Sequence, residues 1–242
     1  MGYGTLRVIN DDRLAQGGGF PTHGHRDMEI VTWILEGTLE HKDSLGNGSV
    51  ITPGEVQRMS AGKGILHSEY NPSADTLVHL LHIWIEPATP GLAPGYEQKR
   101  FEPAELLGRL CLVASPLGRE GGVTIHQDTE MYAARHDAGE GVTHMLGAGR
   151  VAYLHVARGA LTLNGRSMQA GDGVKFRDEA RLDIVGVDAA ELLLFDIILE
   201  TSVDRFLALV MPHGCWRLVP SGPRTHWVGP LRARLHGFRA SR

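Results

Sequence analysis

One plan of strand, glycine, strand and turn occurs twice in this chain, and it restricts the fold more than any other feature. In WILEGTLEH and TPGEVQRM, residues 33–41 and 52–59, a β-branched and aromatic run meets a glycine, and a second run follows. A Gly-centred turn carrying an acid then leads into a third run. LHVARGALTLNG and QAGDGVKF, residues 154–165 and 169–176, repeat that order. Such self-similarity points to duplication of a β module. The runs have the length and residue types of strands. Thirty-one glycines fit the same plan, because many tight turns suit many short strands. An all-β fold of two related units is therefore expected.

Local signals place the elements. MEIVTWILEGTLEH, residues 28–41, predicts a strand pair with Gly37 as the turn, and DSLGNG, 43–48, predicts a hairpin loop. Pro-Gly inside ITPGEVQRM, 51–59, predicts a turn. LVHLLHIWIEP, 77–87, predicts a strand closed by Pro87, and the Pro- and Gly-rich 88–98 predicts a linker. PAELLGRL, 103–110, predicts a short helix with Pro103 in its first turn. ELLLFDIIL, 191–199, predicts a buried closing strand. These signals divide the chain into 1–95, 96–200 and an irregular tail, 201–242.

Charge and cysteine content narrow the function. The net charge is −4, but residues 201–242 carry seven arginines and a single acid, Asp204, so the remainder carries −10. An acidic body does not suit direct nucleic-acid binding. The two cysteines, Cys111 and Cys215, lie far apart and in no motif, which argues against a disulfide framework and for a reducing, cytoplasmic setting. The start has no basic-then-apolar leader, and no apolar run is long enough to span a bilayer.

The chemistry-bearing residues are two alternating pairs. His23 and His25 lie two apart in FPTHGHRDMEI, and His67 and Glu69 lie two apart in GKGILHSEYN. Alternate residues of a strand face the same way. Two such pairs on neighbouring strands would bring three imidazoles and one carboxylate together, a set suited to a divalent transition metal. A lone HxH is weak support, since paired surface histidines are common. Glu29, His41, His79 and His82 compete as ligands on residue type alone. Met59, Ile65, Leu81, Ile83 and Trp84 are candidates for an apolar pocket wall, or simply core.

Gly17-x5-His23-x-His25-x3-Glu29-x7-Gly37 and Gly64-x2-His67-x3-Asn71 resemble the two cupin motifs, with one extra residue before Gly37. LRVINDD, THGHRDMEIVTWILEG, EHKDSLGNG, PGEVQRMSAGKGILHSEYNPS and LHIWIEP resemble the pirin family, in particular its bacterial quercetinase-like branch. The resemblance covers residues 6–199. It implies a bicupin of two antiparallel, jelly-roll-like β-barrel domains. It further implies metal ligation by His23, His25, His67 and Glu69, with Glu29 a non-ligand acid. The ion would be one divalent transition metal, Fe(II) first, with Cu, Ni, Mn, Co or Zn open. The activity it implies is opening of a flavonol such as quercetin by dioxygen with release of carbon monoxide, Glu69 acting as ligand, base or both. The alternative is a non-catalytic metal-binding pirin that acts as a regulatory cofactor of a protein partner. Placing Gly159 against Gly37 and Gly171 against Gly54 sets Met145, Gly147, Ile184 and Gly186 at the four ligand positions of the second unit, with His144 one residue off. A second unit without a metal site is therefore expected.

Overall fold

The computed structural model describes residues 2–198; the arginine-rich tail expected at 201–242 lies outside them. The first half contains β1 (Leu6–Leu14), β2 (Gly19–His25), β3 (Glu29–Glu36), β4 (Leu39–Asp43), β5 (Gly48–Ile51), β6 (Glu55–Ser60), β7 (Ile65–Tyr70), β8 (Val78–Ile85) and β9 (Gly95–Arg100). They form a five-stranded sheet, β1-β8-β3-β6-β9, and a four-stranded sheet, β2-β7-β4-β5. The second half contains α1 (Pro103–Leu106), β10 (Cys111–Ser115), β11 (Val123–Thr124), β12 (Thr129–His136), β13 (Gly141–Met145), β14 (Arg150–Arg158), β15 (Ala160–Leu163), β16 (Arg166–Gln169), β17 (Gly173–Phe176), β18 (Arg181–Gly186) and β19 (Ala190–Ile198). Its sheets run β11-β10-β12-β19-β14-β17 and β13-β18-β15-β16.

The duplication is visible in these orders. β1-β8-β3-β6 matches β12-β19-β14-β17, and β2-β7-β4-β5 matches β13-β18-β15-β16. Each half is a two-sheet jelly roll whose sheets are separate hydrogen-bonded units. The fold is the expected all-β bicupin. β9 is an edge strand of the first large sheet, so a division at 95/96 passes through its first residues.

Three local expectations need correction. The runs on either side of Gly37 are strands, but they do not pair with each other: β3 bonds β6 and β8, while β4 bonds β5 and β7. Gly37 is a corner where the chain changes sheets, and Gly159 does the same between β14 and β15. Both have positive φ, 75° and 65°, and a Cβ there would collide with the carbonyl of Leu77 or Ala189. The linker of 88–98 stops where β9 begins, at Gly95, and the helix of 103–110 is a single turn over Pro103–Leu106.

The two large sheets pack face to face. Val31, Trp33, Leu35, Val56, Leu81, Ile83 and Ile85 of the first half share one core with Met131, Ala133, Val151, Tyr153, Leu193, Phe195 and Ile197 of the second. Alternation along β8 then decides what faces the first jelly roll. Leu81 and Ile83 go to the shared core, so they cannot line a pocket, while His82 and Trp84 point the other way, toward β2 and β7. Among the described residues no helix is long and apolar enough to cross a membrane.

Candidate metal centre

β2 and β7 are antiparallel neighbours, with His23 directly opposite His67 and His25 opposite Ile65. Alternation aims both β2 histidines inward, and the register brings His67 between them. His23, His25 and His67 each offer a ring nitrogen within 4.8 Å of the others. The ring centroids lie 4.4 Å apart for His23 and His67, 4.7 Å for His23 and His25, and 4.9 Å for His25 and His67. His25 also meets the edge of Trp84 at 5.2 Å, beside an apolar cluster that includes Met59 and Ile65. An open depression of about 420 Å³ adjoins this group, lined by His25, Arg26, Ser44, Ile65 and Leu66.

The tautomers suit a cation. His23 Nδ1 donates to the Pro21 carbonyl at 2.8 Å, which leaves Nε2 as the lone-pair nitrogen, 3.1 Å from His67 Nε2. Buried His67 Nδ1 has no hydrogen-bond partner. Burial first, and then the neighbouring imidazoles, push His25 and His67 down to about 4, although Glu69 pulls both upward. Both rings are neutral at neutral pH, the form that binds a metal. Three converging ring nitrogens fit a divalent ion.

Glu69 joins this group only through His67. It is fully buried, and a second set of possible ligands, His41, His67 and Glu69, has its atoms within 4.8 Å of one another. Its Oε2 lies 2.8 Å from His82 Nε2, an ion-pair contact whose angle falls short of a hydrogen bond. Its Oε1 accepts from Gln57 Nε2 at 3.3 Å and lies 3.6 Å from His41 Nδ1. Burial opposes ionisation of Glu69, but His82, His41 and His67 outweigh it and hold the carboxyl well below its ordinary range. Burial likewise disfavours charge on His82, and Glu69 and Asp12 overcome it, raising that imidazole to about 10. The pair is ionised at neutral pH.

The remaining competitors separate. Glu29 is four residues beyond His25, but Asp27, at φ 49°, breaks the strand between β2 and β3. Glu29 therefore faces away, accepting from Ser60 Oγ at 2.9 Å and lying 3.3 Å from His126 Nδ1. His79 pairs with Asp11 at 2.7 Å. His82, which residue type alone leaves as a rival ligand, instead flanks Glu69, whereas His41 both flanks Glu69 and belongs to the second possible ligand set.

The second half shows what happens to the same positions without this chemistry. His144 lies opposite Leu182 as His23 lies opposite His67, and Leu163 opposite Ile184 as His41 opposite Glu69. Strand pairing thus places His144, Leu146, Leu182 and Ile184 at the four positions, one or two residues from those that glycine alignment gives. Leu146, Leu163, Leu182 and Ile184 belong to one buried apolar cluster, and His144 bonds Asp196 at 2.9 Å.

Two facing jelly rolls with a three-histidine pocket in one of them define a bicupin with a candidate metal centre. Family models described as Pirin and as Quercetinase C-terminal cupin domain match residues 1–85 and 112–197. The chain is 46% identical to Quercetin 2,3-dioxygenase of Escherichia coli (strain K12), over 81% of this chain and 84% of that protein. It is 41% identical to a Pirin-like protein of Caulobacter vibrioides, over 81% and 84%. The crystal structure of the bacterial pirin YhhW in complex with nickel(II), from Escherichia coli, superposes with a TM-score of 0.77 at 45% identity, covering 82% of this chain and 84% of that one. The chain belongs to the pirin family.

Proposed function

We propose that the protein is a metal-dependent flavonol 2,3-dioxygenase. His23, His25, His67 and Glu69 would hold one divalent transition metal, with Fe(II) the first to test and Cu, Ni, Mn, Co or Zn the others. The observation that carries this reading is the convergence of three imidazoles, His23, His25 and His67, one of which borders an open depression. The substrate class comes from the names of the relatives.

When bound, the metal supplies a Lewis-acid position that stabilises an oxyanion such as a deprotonated 3-hydroxyl. The chain's residues do the rest. His23 is fixed in one tautomer by Pro21. Ile65, Met59 and Trp84 form an apolar cluster beside His25, a surface suited to a planar ring. Glu69 is ionised and enclosed. In that form it would serve as a ligand of the ion, as the base for a hydroxyl proton, or as both in turn. A flavonol and one dioxygen balance against a ring-opened ester acid and one carbon monoxide, with no external reductant.

The test is oxygen uptake by anaerobically Fe(II)-loaded protein given quercetin, with His67→Ala as control and metal content measured on both. Uptake that follows bound metal and is lost with His67 is expected. Full metal occupancy without uptake would replace the enzyme reading with that of a non-catalytic metal-binding pirin serving a protein partner.

A further inference from the structure

The interior of the first jelly roll contains more polar machinery than three histidines and a glutamate need. Glu69 on β7 sits between two imidazoles that come from the two different sheets. On one side His82 of β8 approaches Oε2 at 2.8 Å, and the far nitrogen of His82 faces Asp12 Oδ2 at 3.5 Å. On the other side His41 of β4 lies 3.6 Å from Oε1, and its far nitrogen faces Asp43 Oδ2 at 3.3 Å. The arrangement is aspartate, histidine, glutamate, histidine, aspartate. His41, Asp43 and Glu69 have wholly buried side chains.

Each end is anchored. Asp43 accepts backbone N–H bonds from Leu45 at 2.9 Å and Asn47 at 3.0 Å, and a side-chain bond from Asn47 at 2.8 Å. The β4–β5 loop therefore fixes Asp43, which fixes His41. The His41 ring is packed between His67, 5.4 Å away, and Tyr96, 5.0 Å away, so it has little freedom to tilt. Gln57 spans the same space, its Nε2 reaching Glu69 Oε1 at 3.3 Å.

We propose that His41 and His82 are positioning residues that clamp the Glu69 carboxylate from both sheets and hold it beside His67, the member of the trio it approaches. A lone buried carboxylate would be costly and free to rotate; two aspartate-backed imidazoles remove both problems. The second half supports the assignment by contrast. Ile184 stands at the place of Glu69 there, and Leu163 at the place of His41, so carboxylate and clamp are replaced together. This inference rests on the reading of Glu69 as part of the metal centre.

The experiment is metal titration with Co(II), following its visible absorption, on wild type, His67→Ala, Glu69→Ala, His41→Phe, His82→Leu, His41→Gln, His82→Gln and each clamp variant combined with Glu69→Ala. Far-UV circular dichroism verifies the fold. His41→Phe and His82→Leu are expected to weaken Co(II) binding about ten- to a hundred-fold and to change the spectrum. The glutamine variants, which keep a donor, are expected to recover part of the affinity. In the Glu69→Ala background the clamp substitutions are expected to cost nothing further, because they act through that carboxylate. Unchanged affinity and spectrum in the clamp variants, or losses that simply add to that of Glu69→Ala, would overturn the proposal. If the Phe and Leu variants do not fold, the Gln variants decide it by the same double-substitution comparison. Wild type that binds no Co(II), or binds it equally after His67→Ala, would instead refute the metal centre itself.

Discussion

Three histidines of the first jelly roll carry opposite electrostatic signatures, and these predict the pH dependence of the metal-free protein. His25 and His67 titrate near 4 when folded, below the ordinary value of 6.5. Between those pH values the unfolded chain binds more protons than the folded one, so stability is full above pH 6.5 and is lost as pH falls toward 4. His82 titrates near 10 when folded. Its contribution is full below pH 6.5 and is lost as pH rises through 10. The two effects meet near pH 6.5, where these groups place a stability maximum. Each site contributes a slope of at most about 1.4 kcal/mol per pH unit, and half-exposed His25 contributes less. Urea unfolding from pH 5 to 9 reads this directly; stability that climbs steadily from 6.5 to 9 would show that the Glu69–His82 ion pair is absent. The alternation of HGH and HSE makes the trio legible in the sequence. The clamp is not legible in that way. His41 and His82 lie on strands from different sheets, and no local pattern says that two such strands meet at Glu69.

At the scale of elements, strand positions follow from β-branched runs and glycine, whereas strand partners do not. Residues 28–41 look like a hairpin because Gly37 breaks them, yet a glycine at positive φ serves a tight hairpin turn and a corner between sheets equally well. What distinguishes them is the neighbour: Gly37 presses against the Leu77 carbonyl, some forty residues away in sequence, and Gly159 presses against that of Ala189. The ligand positions of the second unit shift for the same reason, since glycine alignment cannot see a register that β13 and β18 define by pairing. Gly37→Ala and Gly159→Ala should each destabilise by more than about 2 kcal/mol, from αL strain together with the carbonyl clash. Gly46, at φ 90° with open space where a Cβ would project, supplies the comparison. Gly46→Ala should cost only about 1 kcal/mol. Equal losses at Gly46 and Gly37, measured by chemical denaturation, would remove the close-approach argument and leave backbone strain alone.

For the whole molecule, the decisive fact is where the largest core lies. It is between the jelly rolls, built by the outer faces of both large sheets, so neither half buries its apolar surface alone. Trp33 stands at this junction. It is completely buried, and its Nε1 donates to Glu191 Oε1 of the other half at 2.9 Å, while Arg135 pairs with the same carboxylate at 3.3 Å. A metal centre in one half is therefore supported by a sheet whose back is the other half's core: β8 carries His82 on one face and Leu81 and Ile83 on the opposite one. Unfolding should accordingly be one transition, with far-UV circular dichroism and tryptophan fluorescence coincident in denaturant. Trp33→Ala should lower the stability read from that single transition by about 3–5 kcal/mol, from the cavity and the indole hydrogen bond lost to Glu191. It should also weaken metal binding measurably, although Trp33 touches no candidate ligand, because β8 loses its backing. Two separate transitions, with only one displaced by Trp33→Ala, would mean that the halves stand independently and that the second jelly roll does not brace the metal centre of the first.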